Sequence, residues 1–249
     1  MASLLSVENL QVQFQTKKGI NTAVDGVSFS VEKGRILGIV GESGCGKSVT
    51  SMSILQLLGS NARISGGSIK LDGKELIGLP EKEMCRIRGN DIAMIFQDPM
   101  TALNPTLTIG TQLMEPIMLH QNCGKKEAWT RAVDVLKRVG IAAPEKRMKE
   151  YPHQLSGGMR QRVMIAMAVS CEPRLLIADE PTTALDVTIQ AQILELMCEL
   201  REKMGTAIML ITHDMGVVAE TADDVLVLYS GKAVEYGSIE DIFERPKHP

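Results

Sequence analysis

The chain has 249 residues, 44% hydrophobic and 23% charged, so it can bury a sizeable core as an ordinary soluble globular protein. The net charge of -3 lacks the basic excess that is typical of nucleic-acid-binding proteins. The five cysteines are odd in number and form no C-x-x-C pair, which argues against a disulfide framework or a zinc site and favours a reducing compartment.

The sequence shows no segment typical of export or membrane insertion. No basic start is followed by an apolar core. No apolar run approaches the roughly 20 residues that span a bilayer, and Ala207–Ile211, for example, is only of strand length. We therefore expect a cytoplasmic protein whose membrane association would come through a partner.

Residues 4–40 are predicted to form strands and turns. Apolar residues alternate with glutamines from Leu10 onward, and Val27–Val31 alternates in the same way, as a strand with one buried face does. Thr16–Gly19 is predicted to be a turn, and Gly66–Gly73 a further strand that enters a turn.

A glycine-rich loop follows a short apolar run. Arg35–Val40 has the composition of a buried parallel strand, and a helix-like stretch continues after the loop to Leu58, before Gly59. The loop, Gly41–Ser48, reads Gly-Glu-Ser-Gly-Cys-Gly-Lys-Ser and matches the phosphate-binding pattern G-x-x-x-x-G-K-[ST]. The order of strand, loop and helix is the context that supports this motif.

Phosphate binding explains each residue type in this loop. Glycines let the backbone turn its N–H groups toward phosphate oxygens, Lys47 supplies a cation for the β- and γ-phosphates, and the Ser48 hydroxyl suits Mg²⁺. The following helix adds its positive N-terminal end. The side chain of Cys45 is predicted to point away from the phosphates. The predicted nucleotide contacts here are Gly41, Glu42, Ser43, Gly44, Cys45, Gly46, Lys47, Ser48 and Val49.

Residues from about 98 to about 170 differ in pattern from the rest of the chain. Apolar residues in Glu127–Val139 recur at helical spacing, which predicts a helical insertion. From Leu175 onward, strands and helices alternate as in a parallel sheet, with a helix predicted over about Val187–Lys203. The predicted organisation is a single domain, residues 4–249, with a core of 4–97 and 171–249 and a helical subdomain of about 98–170.

Two carboxylates end the predicted buried strand Leu175–Ala178. Asp179 is placed to reach Mg²⁺, directly or through water. Glu180 comes next, at the γ-phosphate edge, where it would polarise an attacking water. An isolated Asp-Glu pair often ends a strand in solvent, but the apolar run before this pair favours the functional interpretation.

A second anion-binding segment precedes another helix. In Leu155-Ser-Gly-Gly-Met-Arg-Gln161, Ser156 is a predicted N-cap, and Gly157 and Gly158 permit close approach of the backbone to an anion. A helix is predicted over Gln161–Ala168. One chain has no obvious need for two phosphate-binding segments per nucleotide. In a head-to-tail dimer, each site would combine the phosphate loop of one chain with this second segment of the other.

Together these segments resemble the ABC-type ATPases. Leu155-Ser-Gly-Gly is similar to the signature motif of that family, and the phosphate loop, the signature and Asp179-Glu180 follow its order and spacing. The resemblance covers residues 4–245. It implies binding and hydrolysis of ATP by an α/β protein: a P-loop NTPase core with an N-terminal antiparallel β region and an inserted α-helical subdomain.

The resemblance also implies roles for individual residues. Gln97 resembles the Q-loop glutamine, which touches Mg²⁺ and the coupling helix of the transporter. Asp186, in Ala184-Leu-Asp186, resembles the D-loop residue at the dimer interface, and His213 resembles the switch histidine at the γ-phosphate. Phe14 lies where the family places an aromatic residue that stacks on adenine, although tyrosine is commoner there. The implied Mg²⁺ ligands are Ser48, Gln97 and Asp179.

Three segments are similar to ATPases of oligopeptide, dipeptide and nickel importers: Phe96–Pro105, Ile177–Val187 and Phe243–Pro249. This implies an ATPase subunit of a bacterial importer, with ATP sandwiched between two such subunits. Two membrane permease subunits and, indirectly, an extracytoplasmic solute-binding protein would be its partners at the cytoplasmic face of the inner membrane. Members of this subfamily often continue into a cysteine-bearing tail. A function of such a tail, for example an iron–sulfur site, is not assigned to this sequence.

Two other functions compete with the importer. Soluble ABC proteins of DNA repair or of ribosomes usually carry long coiled coils or two tandem cassettes, whereas this sequence has one cassette and no heptad run. A catalytically silent regulatory cassette is disfavoured by the intact Lys47, Asp179, Glu180 and His213. The sequence does not identify the transported substrate, because the ATPase does not touch it, and it does not separate a homodimer from a heterodimer.

Overall fold

The computed structural model describes residues 3–17, 19–98, 102–182 and 187–247. The chain divides into two compact units: the first unit comprises residues 1–85 and 205–249, and the second unit comprises residues 86–204. The strands are β1 (Ser3–Thr16), β2 (Gly19–Glu32), β3 (Ile36–Gly41), β4 (Ala62–Leu71), β5 (Lys74–Glu75), β6 (Ile92–Ile95), β7 (Leu175–Asp179), β8 (Ala207–Ile211), β9 (Asp224–Tyr229) and β10 (Lys232–Ser238). The helices are α1 (Lys47–Ile54), α2 (Glu81–Ile87), α3 (Ile109–Gln121), α4 (Lys125–Arg138), α5 (Pro144–Arg147), α6 (Gly157–Val169), α7 (Val187–Met204), α8 (Met215–Thr221) and α9 (Ile239–Glu244).

An antiparallel sheet with the strand order β2-β1-β4-β5 forms part of the first unit. Val27, Phe29 and Val31 are buried and the serines between them are not, as the alternation of the sequence predicts. At the turn between β1 and β2, the Thr16 hydroxyl donates to the Gly19 carbonyl at 2.7 Å. The N-terminal antiparallel region is therefore confirmed.

A second sheet in the first unit has the order β10-β9-β3-β8. Its strand β3 is parallel to both neighbours, and residues Ile36–Val40 are buried, which is typical of a central parallel strand. The glycine-rich loop leaves the carboxyl end of this strand and leads into α1. Parallel strands end at one edge of the sheet, so loops after β3 and β8 lie on the same side.

The second unit contains a parallel pair, β6 and β7. Between residues 102 and 170, every regular element that the structure describes is helical: α3, α4, α5, α6 and a 3-10 turn at Pro152–Gln154. Helix α4 buries one face, as the helical spacing predicts. Its buried residues are Ala128, Ala132, Val133, Val135 and Leu136. The proposed subdomain bounds, about 98–170 within 4–249, stay a prediction.

Helix α7 spans Val187–Met204, one residue longer than predicted at its end. It buries a single face, formed by Ile193, Leu194, Leu196, Met197 and Leu200. Taking the described residues together, no helix combines the length and the apolar character that crossing a membrane requires.

Helix α1 ends at Ile54 and not at Leu58, so this part of the sequence interpretation was wrong. Gln56 adopts a left-handed conformation with φ of 50°. The Leu57 N–H then donates to the Met52 carbonyl at 2.8 Å and the Gln56 N–H to the Ser53 carbonyl at 3.1 Å, the two bonds of a Schellman motif. The Gln56 side-chain amide also donates to the carbonyl of Leu76. Tertiary bonding thus ends the helix before Gly59.

Candidate nucleotide-binding and hydrolysis site

The phosphate loop closes around its own lysine. Lys47 Nζ donates to the carbonyls of Gly41 at 2.7 Å and Glu42 at 3.0 Å, and the residue is only 6% exposed. These two bonds hold the ammonium charge against the backbone of the loop. Ser48, the first hydroxyl of α1, is exposed. The sequence prediction places both residues in this loop, and their contacts with nucleotide stay a prediction.

The loop is anchored to the strands beneath it. The Gly231 N–H donates to the Cys45 carbonyl at 3.0 Å, and the Thr50 hydroxyl donates to the Gly46 carbonyl at 2.9 Å. Cys45 is buried, and the orientation of its side chain away from the phosphates stays a prediction. Gly46 has φ of 107°, and a Cβ there would lie 2.8 Å from the carbonyl oxygen of Ala23. Only glycine fits this approach without movement of the backbone.

We expect Gly46→Ala to destabilise the loop more than Gly44→Ala does. Both glycines have positive φ, at which an added Cβ costs about 1–3 kcal/mol. A Cβ on Gly44 meets open space, whereas the contact at Gly46 adds a clash of about 1–3 kcal/mol. Urea unfolding and ATP titration of the two variants measure the difference. Equal losses of stability would contradict the close approach at Gly46.

His213 lies at the same sheet edge as the start of the phosphate loop. Ile39 of β3 pairs with Ile211 of β8, so Gly41 and His213 each lie two residues beyond the paired position. The next residue, Asp214, caps α8 by accepting from the N–H groups of Gly216 at 2.9 Å and Val217 at 3.3 Å. The cap fixes the turn that leaves the His213 residue exposed.

Phe14 lies in β1 and is half-buried, paired with Asn21 of β2 and Ala62 of β4. Its stacking on adenine stays a prediction. Asp186 lies outside the residues that the structure describes.

Gln97 and Glu180 are in direct contact in the second unit. Ile95 of β6 pairs with Ala178 of β7, and each functional residue follows its paired residue by two positions. The Gln97 side-chain amide donates to Glu180 Oε2 at 2.9 Å. Asp179 ends β7 and is 5% exposed. The predicted water-polarising carboxylate and the predicted Q-loop glutamine therefore form one hydrogen-bonded pair.

Glu180 has an unusual backbone conformation, with φ of 46°. The left-handed region costs a non-glycine residue about 1–2 kcal/mol. The residue that follows is Pro181, and a proline restricts its predecessor to extended conformations. A non-glycine residue keeps such a conformation only where its surroundings hold it.

The signature segment forms the start of α6. Ser156 is its N-cap, and the hydroxyl accepts from the Met159 N–H at 3.3 Å, so the cap prediction is confirmed. The helix begins at Gly157, four residues before the predicted start, because this cap includes both glycines in the first turn. Around Gly157 a Cβ would meet open space, whereas at Gly158 it would lie 3.3 Å from Ile189 Cγ2.

Sequence reasoning assigned no role to Gln161, although the structure gives it a specific contact. The residue is 2% exposed within α6, and its side-chain amide donates to the carbonyl of Pro181. Gln161 and Arg162 are both polar and precede the apolar run Val163–Ala168, so nothing in this pattern indicated that Gln161 is buried.

The predicted Mg²⁺ ligands have the chemistry that this ion prefers. Ser48, Gln97 and Asp179 offer hydroxyl, amide and carboxylate oxygens, and Mg²⁺ commonly combines one or two carboxylates with phosphate oxygens of a substrate. Among the described residues, there is no group of three or more His, Cys, Asp or Glu that could hold a metal ion. A set of oxygen donors with a single carboxylate fits Mg²⁺ that shares its coordination with phosphate oxygens.

A parallel strand, a phosphate loop and a helix in this arrangement define a P-loop nucleotide-binding protein. The family model for ABC transporters matches residues 24–183. The oligopeptide transport ATP-binding protein AppD of Bacillus subtilis (strain 168) is 58% identical over 100% of this chain and 76% of its own length. The oligopeptide transport ATP-binding protein OppD of Escherichia coli (strain K12) is 55% identical over 99% of this chain and 73% of its own length. The chain belongs to the ABC transporter family.

A solved structure supports this assignment. The dimeric structure of MJ0796, described as a bacterial ABC transporter cassette, has a TM-score of 0.84 and 28% identity, covering 94% of this chain and 98% of that one. A dimeric post-hydrolysis state of MJ0796 bound to ADP and Pi aligns with a TM-score of 0.84 at 27% identity, over the same shares of the two chains. The ABC ATPase fold is therefore confirmed.

Proposed function

We propose that the chain is the ATP-binding and ATP-hydrolysing subunit of a bacterial ABC importer for peptides. The observation that carries this proposal is its 55–58% identity, along almost its whole length, to oligopeptide transport ATP-binding proteins. A dipeptide transport ATP-binding protein of Bacillus subtilis, DppD, is 58% identical over 100% of the chain and 75% of its own length. Peptides are therefore the favoured substrate class, and nickel remains the second candidate of the subfamily.

Each residue of the site has a separate task in hydrolysis. Lys47 and the loop amides bind the phosphates, and Glu180 accepts a hydrogen bond from the attacking water and polarises it. His213 contacts the γ-phosphate and orients it. Gln97 and Asp179, with Ser48, are the side chains that would hold Mg²⁺, which supplies charge neutralisation at the phosphates when it is bound. Phe14 stacks on the adenine ring.

A second subunit completes the site. ATP binds between the phosphate loop of one subunit and Ser156, Gly157 and Gly158 of the other, with Asp186 at their interface. The exposure of Ser156 and Gly157 and the open space at Gly157 support this role, because an anion could approach the helix end without displacing a side chain. Permease subunits then contact the region of Gln97 and the helical segment, which places the chain at the cytoplasmic face of the inner membrane.

Co-purification from the native organism tests the proposed assembly. Affinity-tagged chain should recover two membrane permease subunits, and a peptide-loaded solute-binding protein should stimulate ATP hydrolysis by the purified complex. Recovery of ribosomes or DNA in their place would favour the soluble ABC ATPase. If only a nickel-loaded binding protein stimulated ATP hydrolysis, nickel would replace peptides as the proposed transport substrate.

Lys47→Ala is expected to weaken ATP binding by about 10–100-fold, since a hydrogen bond to a charged group contributes about 1.5–3 kcal/mol. Calorimetric titration measures this change, and circular dichroism establishes that the variant is folded. The control is Lys33→Ala, because the Lys33 side chain is 63% exposed and lies 3.9 Å from Asp72 in a surface ion pair. Unchanged affinity in a folded Lys47→Ala variant would refute the assignment of this lysine.

A further inference from the structure

Glu180 is held from three sides in the second unit. Before it, the buried strand β7 fixes the backbone as far as Asp179. Its side chain accepts from the Gln97 amide at 2.9 Å. After it, the carbonyl of the buried Pro181 accepts from the Gln161 amide. A left-handed glutamate before a proline does not keep this conformation by local preference, and these contacts belong to the surroundings that hold it.

The contact from Gln161 differs from the other two because it comes from a separate helix. Gln161 lies on α6, one turn after the Ser156 cap and the exposed Gly157. Both partners of the hydrogen bond are buried, and a buried carbonyl that loses its donor is costly. The position of α6 is therefore linked to the backbone next to Glu180.

We propose that Gln161 is a positioning residue that holds Glu180 in its left-handed conformation and links the signature helix to the catalytic carboxylate of the same chain. This inference rests on the proposed role of Glu180 in ATP hydrolysis. When a nucleotide of the partner subunit engages the first turn of α6, any movement of that helix reaches Pro181 through the Gln161 amide. Because φ of Glu180 is fixed, the residue turns as a whole when Pro181 moves. The direction of the Glu180 side chain then changes.

The substitution Gln161→Met tests the link, because methionine has a similar length and favours helices but cannot donate a hydrogen bond. We expect kcat for ATP hydrolysis by the full chain to fall about 100-fold, as for a misplaced catalytic group, with KM for ATP unchanged. Because an unfolded fraction would also lower the apparent kcat at constant KM, kcat is calculated per ATP-binding site, counted by calorimetric titration of the same sample. Gln161→Asn serves if the methionine variant does not fold: its shorter amide is expected to lower kcat in the same direction, again at constant KM.

Gln56→Met is the matched control. The Gln56 side chain also donates to a backbone carbonyl 20 residues further along the chain, that of Leu76, and it has no role in the proposed site. Its loss should lower stability and leave kcat within about twofold. An equal fall in kcat for both variants would show a general structural effect and overturn the proposal.

A double-mutant cycle separates this inference from the proposed function. In a Glu180→Gln background, single-turnover hydrolysis should be no slower with Gln161→Met than without it, because Gln161 acts only through the carboxylate. An additive loss would overturn the link. If Glu180→Gln is inactive while Gln161→Met retains full kcat, only this inference fails. If Glu180→Gln itself retains full activity, the proposed catalytic role fails, and the inference fails with it.

Discussion

Glu180→Gln is expected to bind ATP normally and to lose turnover by about 10²–10⁴-fold, the usual contribution of a general base. The substitution removes the charge that polarises the attacking water and keeps the shape of the side chain. The Gln97 amide can still donate to the side-chain oxygen, so the pair at 2.9 Å need not rearrange. Nucleotide binding should survive because the phosphate loop is unchanged.

The measurements are steady-state ATPase activity at saturating ATP and Mg²⁺, and gel filtration with ATP. An ATP-bound dimer should accumulate, because hydrolysis no longer separates the subunits. Glu172→Gln is the control: Glu172 is also a left-handed glutamate in the second unit, with φ of 54°, but it is exposed and paired with Arg138 at 3.0 Å. Near-normal turnover of Glu180→Gln would remove this residue from the mechanism.

The sequence predicts the local chemistry of the site well. The phosphate loop and the Ser156 cap depend on residues that are close in sequence, so their motifs can be recognised without the fold. The carboxyl end of the buried strand β7 could likewise be located from its apolar run. These features need only a few neighbouring residues, and the structure has each of them where the pattern indicates.

Contacts between distant segments could not be predicted in the same way. The end of α1 depends on Gln56, whose left-handed conformation and bond to Leu76 replace the glycine that a sequence pattern would favour. The pair of Gln97 and Glu180 requires the register of β6 against β7, which the sequence does not contain. Gln97 follows Ile95 by two positions, and Glu180 follows Ala178 by two positions. This equal spacing predicts their contact only when the two strands are known to be neighbours.

Gly157→Asp is expected to abolish ATP-dependent dimerisation and hydrolysis while leaving ATP binding to the monomer intact. A Cβ at Gly157 meets open space, so the substitution should not disturb α6 in the isolated chain. The new carboxylate would lie where the γ-phosphate of the partner's nucleotide approaches, and repulsion between like charges opposes closure of the dimer. Gly157→Asn is the control of similar size without the charge, and it should be less impaired.

Mixing Gly157→Asp with Lys47→Ala subunits gives the sharpest test of a shared site. In a mixed dimer, the Gly157→Asp subunit contributes an intact phosphate loop and the Lys47→Ala subunit an intact signature. One composite site is then complete, so at an ATP concentration too low to fill the Lys47→Ala site the mixture should hydrolyse more ATP than either variant alone. Titrating one variant into the other should give maximal activity near equal amounts. If Gly157→Asp instead abolishes nucleotide binding to the monomer, the signature belongs to the site of its own chain, because only then would its charge reach the nucleotide without a partner.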